Sequence, residues 1–192
     1  MMLDTLPDVE ARPYLLQNSI QHYAWGTRGN QAFIPNLLGF RQEPGLPYAE
    51  LWIGAHPKAL STVVVGDMPV PLDQWIQAYP VQILGSKIAD RFSNQLPFLF
   101  KVLSASEPLS IQVHPNKAQA NALHLRDPIH YPDANHKPEL AIALDSLTAL
   151  MGIKPFAEIQ ETLRRYPEIA DFIGKRVCAS ILNALTPDLQ RQ

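Results

Sequence analysis

The length of the apolar runs is the feature that most constrains the fold of this chain. Between Tyr14 and Ser110, apolar residues come in short runs bounded by Gly, Pro and Asn. Runs of this length favour strands, and two of them, over residues 60–65 and 97–103, predict strands. The second run has a single Lys among apolar residues, which predicts a buried strand. The 18 prolines are spread along the chain, which is typical of prolines in turns and at the ends of strands.

Helical spacing is seen in the middle and at the end of the chain. Apolar residues at i, i+3, i+4 and i+7 over residues 72–79 predict a helix. A stretch rich in Ala and Leu over residues 117–125 predicts a second short helix.

The pattern of apolar residues changes at Pro155, from short strand-like runs to helical spacing. From there, three short helices are predicted, starting at Pro155, Pro167 and Arg176, with Gly174 ending the second and the third reaching Leu185. We therefore predict a β-rich region over residues 1–153 and the start of a helical domain over residues 154–192.

Charge and cysteine content exclude several classes of protein. The net charge is −2, and no basic cluster indicates a nucleic acid or a membrane surface as partner. Cys178 is the single cysteine, which excludes a disulfide framework and favours a reducing, cytoplasmic setting. The N-terminus lacks a secretory pattern, and the apolar stretch over residues 140–151 is too short to span a bilayer.

Polar side chains alternate with apolar ones over residues 109–114, which predicts a strand. Residues two apart on a strand face the same side, so Ser110, Gln112 and His114 would form one polar row. Two interpretations remain open at this point: a face exposed to solvent, or a hydroxyl, an amide and an imidazole that line a binding site.

A second group of polar residues lies over residues 131–139 and leads into an apolar stretch. We predict a strand pair over residues 139–144 and 147–153, with Glu139 at the start of the first strand. Lys137 precedes a proline, which favours extended backbone and places it on the same face as Glu139. Charged strand ends are common, so this group alone is weak evidence for a site.

Together the two groups offer a set of metal ligands. Gln112, His114 and Glu139 supply an amide oxygen, an imidazole nitrogen and a carboxylate, a set that suits Zn²⁺ or a similar divalent ion. Lys137 and Ser110 would add a positive charge and a hydroxyl donor, which suit a phosphate group.

At this point the chain resembles a known family. The segment YPDANHKPE at residues 131–139 is similar to the signature of type I mannose-6-phosphate isomerases. Four further segments resemble blocks of that family in the same order: QHYAWG at 21–26, AELWIGAHP at 49–57, LPFLFKVL at 96–103 and PLSIQVHPNK at 108–117. The resemblance covers residues 16–155.

The resemblance implies a fold, a reaction and roles for individual residues. The fold is a mainly β, cupin-like (jelly-roll) barrel with helices. The reaction is the interconversion of mannose 6-phosphate and fructose 6-phosphate through an enediol, an aldose–ketose isomerisation that supplies GDP-mannose. One Zn²⁺ per chain would act as a Lewis acid. The implied zinc ligands are Gln112, His114 and Glu139, the substrate- and phosphate-handling catalytic residues are Ser110 and Lys137, and the further pocket residues are Trp25, Glu50 and Lys101.

The family takes a fourth zinc ligand, a His, and a pocket Arg from a later region, and this chain ends at Gln192. We therefore expect an incomplete barrel with open strand edges, and little or no isomerase activity in this chain alone. Either the chain is unstable by itself, or a partner such as another copy covers the open edge. The alternative function is a non-catalytic remnant that binds metal or sugar phosphate, or an interaction module. His56 and Trp52 are interpreted as structural residues.

Overall fold

Eight short strands make up the β structure of the described residues, which are 6–131, 133–150 and 152–184 of this computed structural model. The strands are β1 (Leu15–Gln17), β2 (Ser19–Gln21), β3 (Glu50–Ile53), β4 (Ala55–His56), β5 (Ala59–Leu60), β6 (Thr62–Val65), β7 (Met68–Pro71) and β8 (Phe100–Leu103). They form two three-stranded antiparallel sheets, in the orders β1-β6-β7 and β2-β3-β8, and the two-stranded hairpin β4-β5. No closed barrel is formed among these described residues.

The helices are short. They are α1 (Phe33–Leu38), α2 (Leu72–Ala78), α3 (Pro80–Leu84), α4 (Ser86–Arg91), α5 (Lys117–Arg126), α6 (Phe156–Arg165), α7 (Pro167–Ile173) and α8 (Lys175–Asn183), with a 3₁₀ turn at Gly29–Gln31. Within the described part of the chain, none of them combines the length and the apolarity that crossing a bilayer requires.

The first sheet packs against α2. Three of the four apolar residues that the spacing over residues 72–79 predicts as one helical stripe are buried here together with two strand valines, and the fourth, Tyr79, packs against them partly buried. The cluster consists of Val63, Val70, Leu72, Trp75 and Ile76. Burying each aliphatic side chain contributes roughly 1.5–3 kcal/mol, so this cluster anchors the first sheet. The predictions of a helix over 72–79 and of a strand within 60–65 are confirmed by α2 and β6.

The second sheet separates an apolar face from a polar one. Leu51 of β3 lies opposite Ile20 of β2 and Val102 of β8, and these three pack with Ala32, Ile34 and Tyr48 in a buried cluster. Because successive side chains of a strand point to opposite faces, the neighbours of Leu51 on β3 must project from the other side. That other face carries Gln21, Glu50, Trp52 and Lys101.

One glycine allows two backbone segments to meet beside this sheet. A Cβ atom placed on Gly26 would lie 2.6 Å from the backbone nitrogen of Ala49 and 2.7 Å from the carbonyl carbon of Tyr48. Real Cβ atoms do not approach backbone so closely, so only glycine fits at this position.

The chain divides into two compact units, of which the first ends at Val113 and the second begins at His114. The second unit contains α5 to α8. Helix α5 begins with a capping box, in which Asn116 accepts from the backbone N–H of Gln119 at 2.9 Å and the Gln119 side chain accepts from that of Asn116 at 3.0 Å. The predicted boundary near residue 153 stays a prediction.

The helices predicted in the second half of the chain are present. Helix α5 covers the Ala- and Leu-rich stretch, α6 follows Pro155, and α7 starts at Pro167 and ends before Gly174, whose φ is +90°. Helix α8 confirms the third helix after Pro155, while its predicted end at Leu185 lies outside the described residues.

Three strand predictions are wrong. Residues 109–114, 139–144 and the described part of 147–153 form no strand, and their apolar side chains are exposed, with Ile111 at 96% and Leu150 at 100%; Met151 lies outside the described residues. An isolated extended segment leaves its backbone N–H and C=O groups unpaired, and no described segment pairs with these. Alternation alone therefore did not produce a strand here, because a strand needs the backbone of a neighbouring segment.

The prediction of a buried strand over residues 97–103 is only partly right. Strand β8 begins at Phe100, and both Phe98 and Phe100 are more than half exposed. In the described part of the chain, β8 pairs with β3 alone and is therefore an edge strand. A single neighbouring strand does not cover enough of β8 to bury its apolar side chains.

Replacing Gly26 by Ala should lower the free energy of unfolding by about 3 kcal/mol or more, the upper end for overpacking, because the methyl group meets backbone atoms that cannot rotate away. Gly66→Ala is the control. Gly66 has nothing within 4 Å and a φ of +62°, so its replacement costs about 1–2 kcal/mol from left-handed backbone strain alone. Urea unfolding of the variants measures the difference, and a Gly26→Ala protein as stable as Gly66→Ala would contradict the close approach.

Candidate functional site

The polar face of the second sheet brings together a carboxylate, an indole and an ammonium group. Glu50 and Trp52 are two residues apart on β3, and Lys101 lies directly opposite Trp52 on β8. Trp52 Nε1 donates to Glu50 Oε2 at 2.5 Å. Lys101 Nζ lies 3.5 Å from the same oxygen and 4.7 Å from the centre of a Trp52 ring. The sheet register therefore builds this cluster, since it sets all three side chains on one face.

The carboxylate of Glu50 is the buried charge of the cluster. Glu50 is 8% exposed, and a buried carboxylate is costly unless it is paired and hydrogen-bonded. The indole N–H and the ammonium group meet that requirement. The Lys101 side chain is 37% exposed, so the ammonium group compensates the buried charge while it remains open to solvent on one side.

Two aromatic residues of the loop after β2 extend the site. Tyr23 stacks on Trp25, with ring centroids 5.6 Å apart and an interplanar angle of 27°. The pKa of Tyr23 is raised above its usual value, first by burial and then by the negative charge of Glu50. Trp25 is held by Ser106, whose backbone N–H and hydroxyl both donate to the Trp25 carbonyl, at 2.9 Å and 3.0 Å. The loop thus carries Tyr23 within reach of the electrostatic field of Glu50.

His56 borders the cluster from the next strand. Its ring lies edge-on to Trp52 with centroids 4.9 Å apart, and its Nδ1 accepts from the backbone N–H of Lys58 at 3.2 Å. His56 is half-buried, and its role as a structural residue stays a prediction. Trp52 is buried, as predicted, yet it also makes a polar contact with Glu50 that sequence reasoning missed. Its position two residues after Glu50 is the signal that could have identified the contact, since residues two apart on a strand share a face.

The second unit brings two of the predicted metal ligands together. His114 Nε2 lies 3.2 Å from Glu139 Oε1, although both side chains are partly exposed. Bonds of about 2.1 Å at a tetrahedral zinc ion set its nitrogen and oxygen ligands roughly 3.4 Å apart. The two donor atoms therefore fit two positions around one such ion.

The segment that carries Lys137 and Glu139 is held by short polar contacts. Lys117 Nζ, at the start of α5, donates to the Ala134 carbonyl at 2.8 Å and to Asn135 Oδ1 at 3.2 Å. Lys137 Nζ lies 3.7 Å from Asp133 Oδ2. Lys117 therefore ties the loop to α5, and Asp133 restrains the ammonium group of Lys137.

The remaining predicted site residues are less constrained. Ser110 and Gln112 belong to the first unit, lie in non-regular backbone and are exposed. Among the residues that the structure describes, their side chains make no hydrogen bond. Because residues 109–114 form no strand, the argument that set Ser110, Gln112 and His114 in one row does not hold here. Within the described ranges, no three or more His, Cys, Asp or Glu side chains lie close enough together to hold a metal ion by themselves.

Comparison with known proteins identifies the family. The sequence profile of the type I phosphomannose isomerase catalytic domain matches residues 14–156. This range contains the Glu50, Trp52 and Lys101 cluster as well as the His114–Glu139 pair. This chain belongs to the type I phosphomannose isomerase family.

Relatives and solved structures agree with this family. Mannose-6-phosphate isomerase of Homo sapiens is 43% identical over 186 residues, which cover 93% of this chain and 44% of the human protein. Mannose-6-phosphate isomerase 2 of Arabidopsis thaliana is 39% identical over 175 residues, covering 85% of this chain and 40% of the plant protein. The chain thus spans less than half the length of these relatives.

The described fold matches that of phosphomannose isomerases. A crystal structure of a point variant of the Salmonella typhimurium phosphomannose isomerase superposes with a TM-score of 0.57 at 41% identity, covering 64% of this chain and 32% of that one. A zinc-bound mannose 6-phosphate isomerase gives 0.57 at 39% identity over 64% and 33% of the two chains. The small antiparallel sheets and helices of this phosphomannose isomerase family member therefore superpose on about a third of each of these solved chains.

Replacing Glu50 by Gln should lower the pKa of Tyr23, because it removes the negative charge that opposes ionisation of the phenol. The pKa should stay above the usual tyrosine value, since burial is the larger cause. An NMR titration of the tyrosine rings, with Tyr23→Phe for assignment, measures the change.

Tyr79 is the internal control for this titration. Its pKa is raised by burial and by Asp8, so Glu50→Gln should leave it unchanged while Asp8→Asn should lower it. A Tyr23 titration that is identical in the wild-type and Glu50→Gln proteins would show that the carboxylate does not act on the phenol.

Proposed function

We propose that this chain carries metal- and sugar-phosphate-binding residues of a mannose-6-phosphate isomerase, which interconverts mannose 6-phosphate and fructose 6-phosphate. The observation that carries the proposal is the family match over residues 14–156, which includes the Glu50–Lys101 pair and the His114–Glu139 pair. The human and plant relatives are both mannose-6-phosphate isomerases by name. A cytoplasmic location fits a reaction on a phosphorylated sugar.

We assign the metal site to Gln112, His114 and Glu139, with Zn²⁺ as the ion. A zinc-bound structure of a related mannose 6-phosphate isomerase supports this choice of ion, and the 3.2 Å separation of the His114 and Glu139 donor atoms supports the choice of ligands. The ion, when bound, would polarise the oxygens at C1 and C2 of the sugar. Neutral imidazole is required as ligand, so His114 must bind the ion through an unprotonated nitrogen.

Lys137 and Ser110 are proposed to bind the phosphate group. In the ligand-free chain, Lys137 is paired with Asp133 at 3.7 Å, a partly exposed contact of modest strength. A phosphate dianion carries more charge than a carboxylate and offers more acceptor oxygens, so it would draw Lys137 away from Asp133. Ser110 is exposed and has no partner among the described residues that would have to be released first.

The polar face of the second sheet is proposed to contact the sugar. Glu50 accepts hydrogen bonds and Lys101 donates them, so together they suit the hydroxyl groups of a hexose. Trp25 offers a half-buried aromatic surface beside Tyr23, which suits the apolar C–H face of a sugar ring. The proton that moves between C1 and C2 of the open-chain sugar needs a general base beside these two carbons, and none of these residues is assigned to that role.

A second candidate function is a non-catalytic protein that binds metal or sugar phosphate, or an interaction module. This alternative requires only the binding residues, which include the His114–Glu139 pair. The two functions differ in turnover: conversion of mannose 6-phosphate to fructose 6-phosphate by the purified chain supports the isomerase. Binding of mannose 6-phosphate without conversion supports the alternative.

Zn²⁺ binding should depend on His114 and Glu139. Replacing either by Ala removes one ligand of the ion and should weaken binding by about tenfold or more. Isothermal titration with Zn²⁺ under chelator-free conditions measures the dissociation constant. His130→Ala is the matched control, because His130 is exposed and contacts Asp127 instead. Equal Zn²⁺ affinity in the His114→Ala and His130→Ala proteins would remove His114 from the metal site.

Mannose 6-phosphate binding should depend on Lys137. Lys137→Ala removes the charge that we assign to the phosphate, and a hydrogen bond to a charged group is worth about 1.5–3 kcal/mol, so the Kd should rise by at least about tenfold. Lys87→Ala, in which an exposed lysine of α4 loses the same charge, should bind like the wild type. Unchanged Kd and kcat/KM in Lys137→Ala would refute the assignment.

A further inference from the structure

Trp52 touches both charged members of the sheet cluster. Its indole N–H donates to Glu50 Oε2 at 2.5 Å, and its ring lies 4.7 Å from the ammonium nitrogen of Lys101. The same Glu50 oxygen faces Lys101 at 3.5 Å. One side chain therefore restrains the carboxylate through a hydrogen bond and the cation through its aromatic face.

The restraint on Lys101 needs both contacts. A lysine ammonium is a point charge on a flexible four-carbon stem, and a single contact at 3.5 Å to a carboxylate that could itself rotate would leave it mobile. The N–H of Trp52 prevents Glu50 from rotating away, because the indole would lose its acceptor and become a buried, unpaired donor. The ring of Trp52, which lies opposite Lys101 in the register, then limits where the stem can go.

Burial alone does not account for this arrangement. Trp75 is also buried, and its N–H donates to the backbone carbonyl of Pro7 at 2.8 Å. A buried tryptophan thus needs only some acceptor, and a backbone carbonyl is sufficient. Trp52 instead uses an ionised side chain that in turn faces the partly exposed ammonium group of Lys101, so its N–H connects a buried strand residue with a charged group on the polar face.

We propose that Trp52 is a positioning residue, which holds Glu50 and thereby aims the ammonium group of Lys101 at the oxygens of a bound sugar phosphate. The identity of the ligand rests on the function proposed above, whereas the restraint on Lys101 rests on geometry alone. Trp52 itself need not touch the ligand.

The test compares the same substitution at two buried tryptophans in the full chain. Trp52→Phe keeps an aromatic face and removes the N–H that holds Glu50, whereas Trp75→Phe removes an N–H that holds only a backbone carbonyl. Competitive labelling with limiting acetic anhydride, read by peptide mass spectrometry, reports how freely each lysine amine reacts. Labelling of Lys101 relative to Lys87 should rise several-fold in Trp52→Phe and stay at the wild-type level in Trp75→Phe.

A ligand measurement on the same proteins tests the consequence. The Kd for mannose 6-phosphate should rise about tenfold in Trp52→Phe, since that is about what the loss of one hydrogen bond from a charged group costs in affinity. It should change little in Trp75→Phe. Where turnover is measurable, kcat/KM should follow the same order.

The outcomes separate the positioning role from the proposed function. Should the wild type bind no mannose 6-phosphate, the proposed function fails, and the labelling of Lys101 still decides whether Trp52 restrains it. Equal labelling of Lys101 in the wild type and Trp52→Phe, or an equal change in both tryptophan variants, overturns the proposal. Should Trp52→Phe not fold, replacement of Trp52 by benzothienylalanine, which keeps the shape of the indole and lacks its N–H, gives the same comparison.

Discussion

The pairing of β3 with β2 and β8 decides which side chains of this chain form its core and which form its polar site. Leu51 faces the buried cluster, while Glu50 and Trp52, one residue to either side, face the opposite way. A slip of one residue in this register would bury the carboxylate among Ile34 and Tyr48 and expose the leucine. The apolar face therefore enforces the register, and the register in turn assembles the polar cluster.

The buried carboxylate of Glu50 imposes the next constraint. Its desolvation has to be offset by partners that are themselves held in place. Trp52 supplies an N–H from a side chain fixed by the sheet, and Lys101 supplies a charge from the paired strand. The cluster therefore leaves one cation directed towards solvent in front of a rigid sheet, an arrangement suited to binding polar or anionic oxygens.

The residues after Val113 are organised by a different kind of contact. The loop that carries Lys137 and Glu139 is held by Lys117, by Asp133 and by the contact of His114 with Glu139, and it has little apolar packing. Nearby apolar side chains such as Leu140 and Ile142 are exposed. Local polar contacts can thus set the approximate geometry of these side chains, although no sheet supports them in the described part of the chain.

The sequence by itself determined the local elements whose signals are complete within a few residues. These are α2 with its apolar stripe, α5 with its Asn116–Gln119 cap, and α7 between Pro167 and Gly174. Ordered motifs also indicated the family and the candidate site residues, including Glu50 and Lys101.

Tertiary structure alone decided whether an alternating segment becomes a strand. A strand requires the backbone of a second segment, and residues 109–114 and 139–144 find none among the described residues. It also decided that Trp52 holds Glu50 beside Lys101, since that contact depends on the register of two strands about 50 residues apart along the sequence.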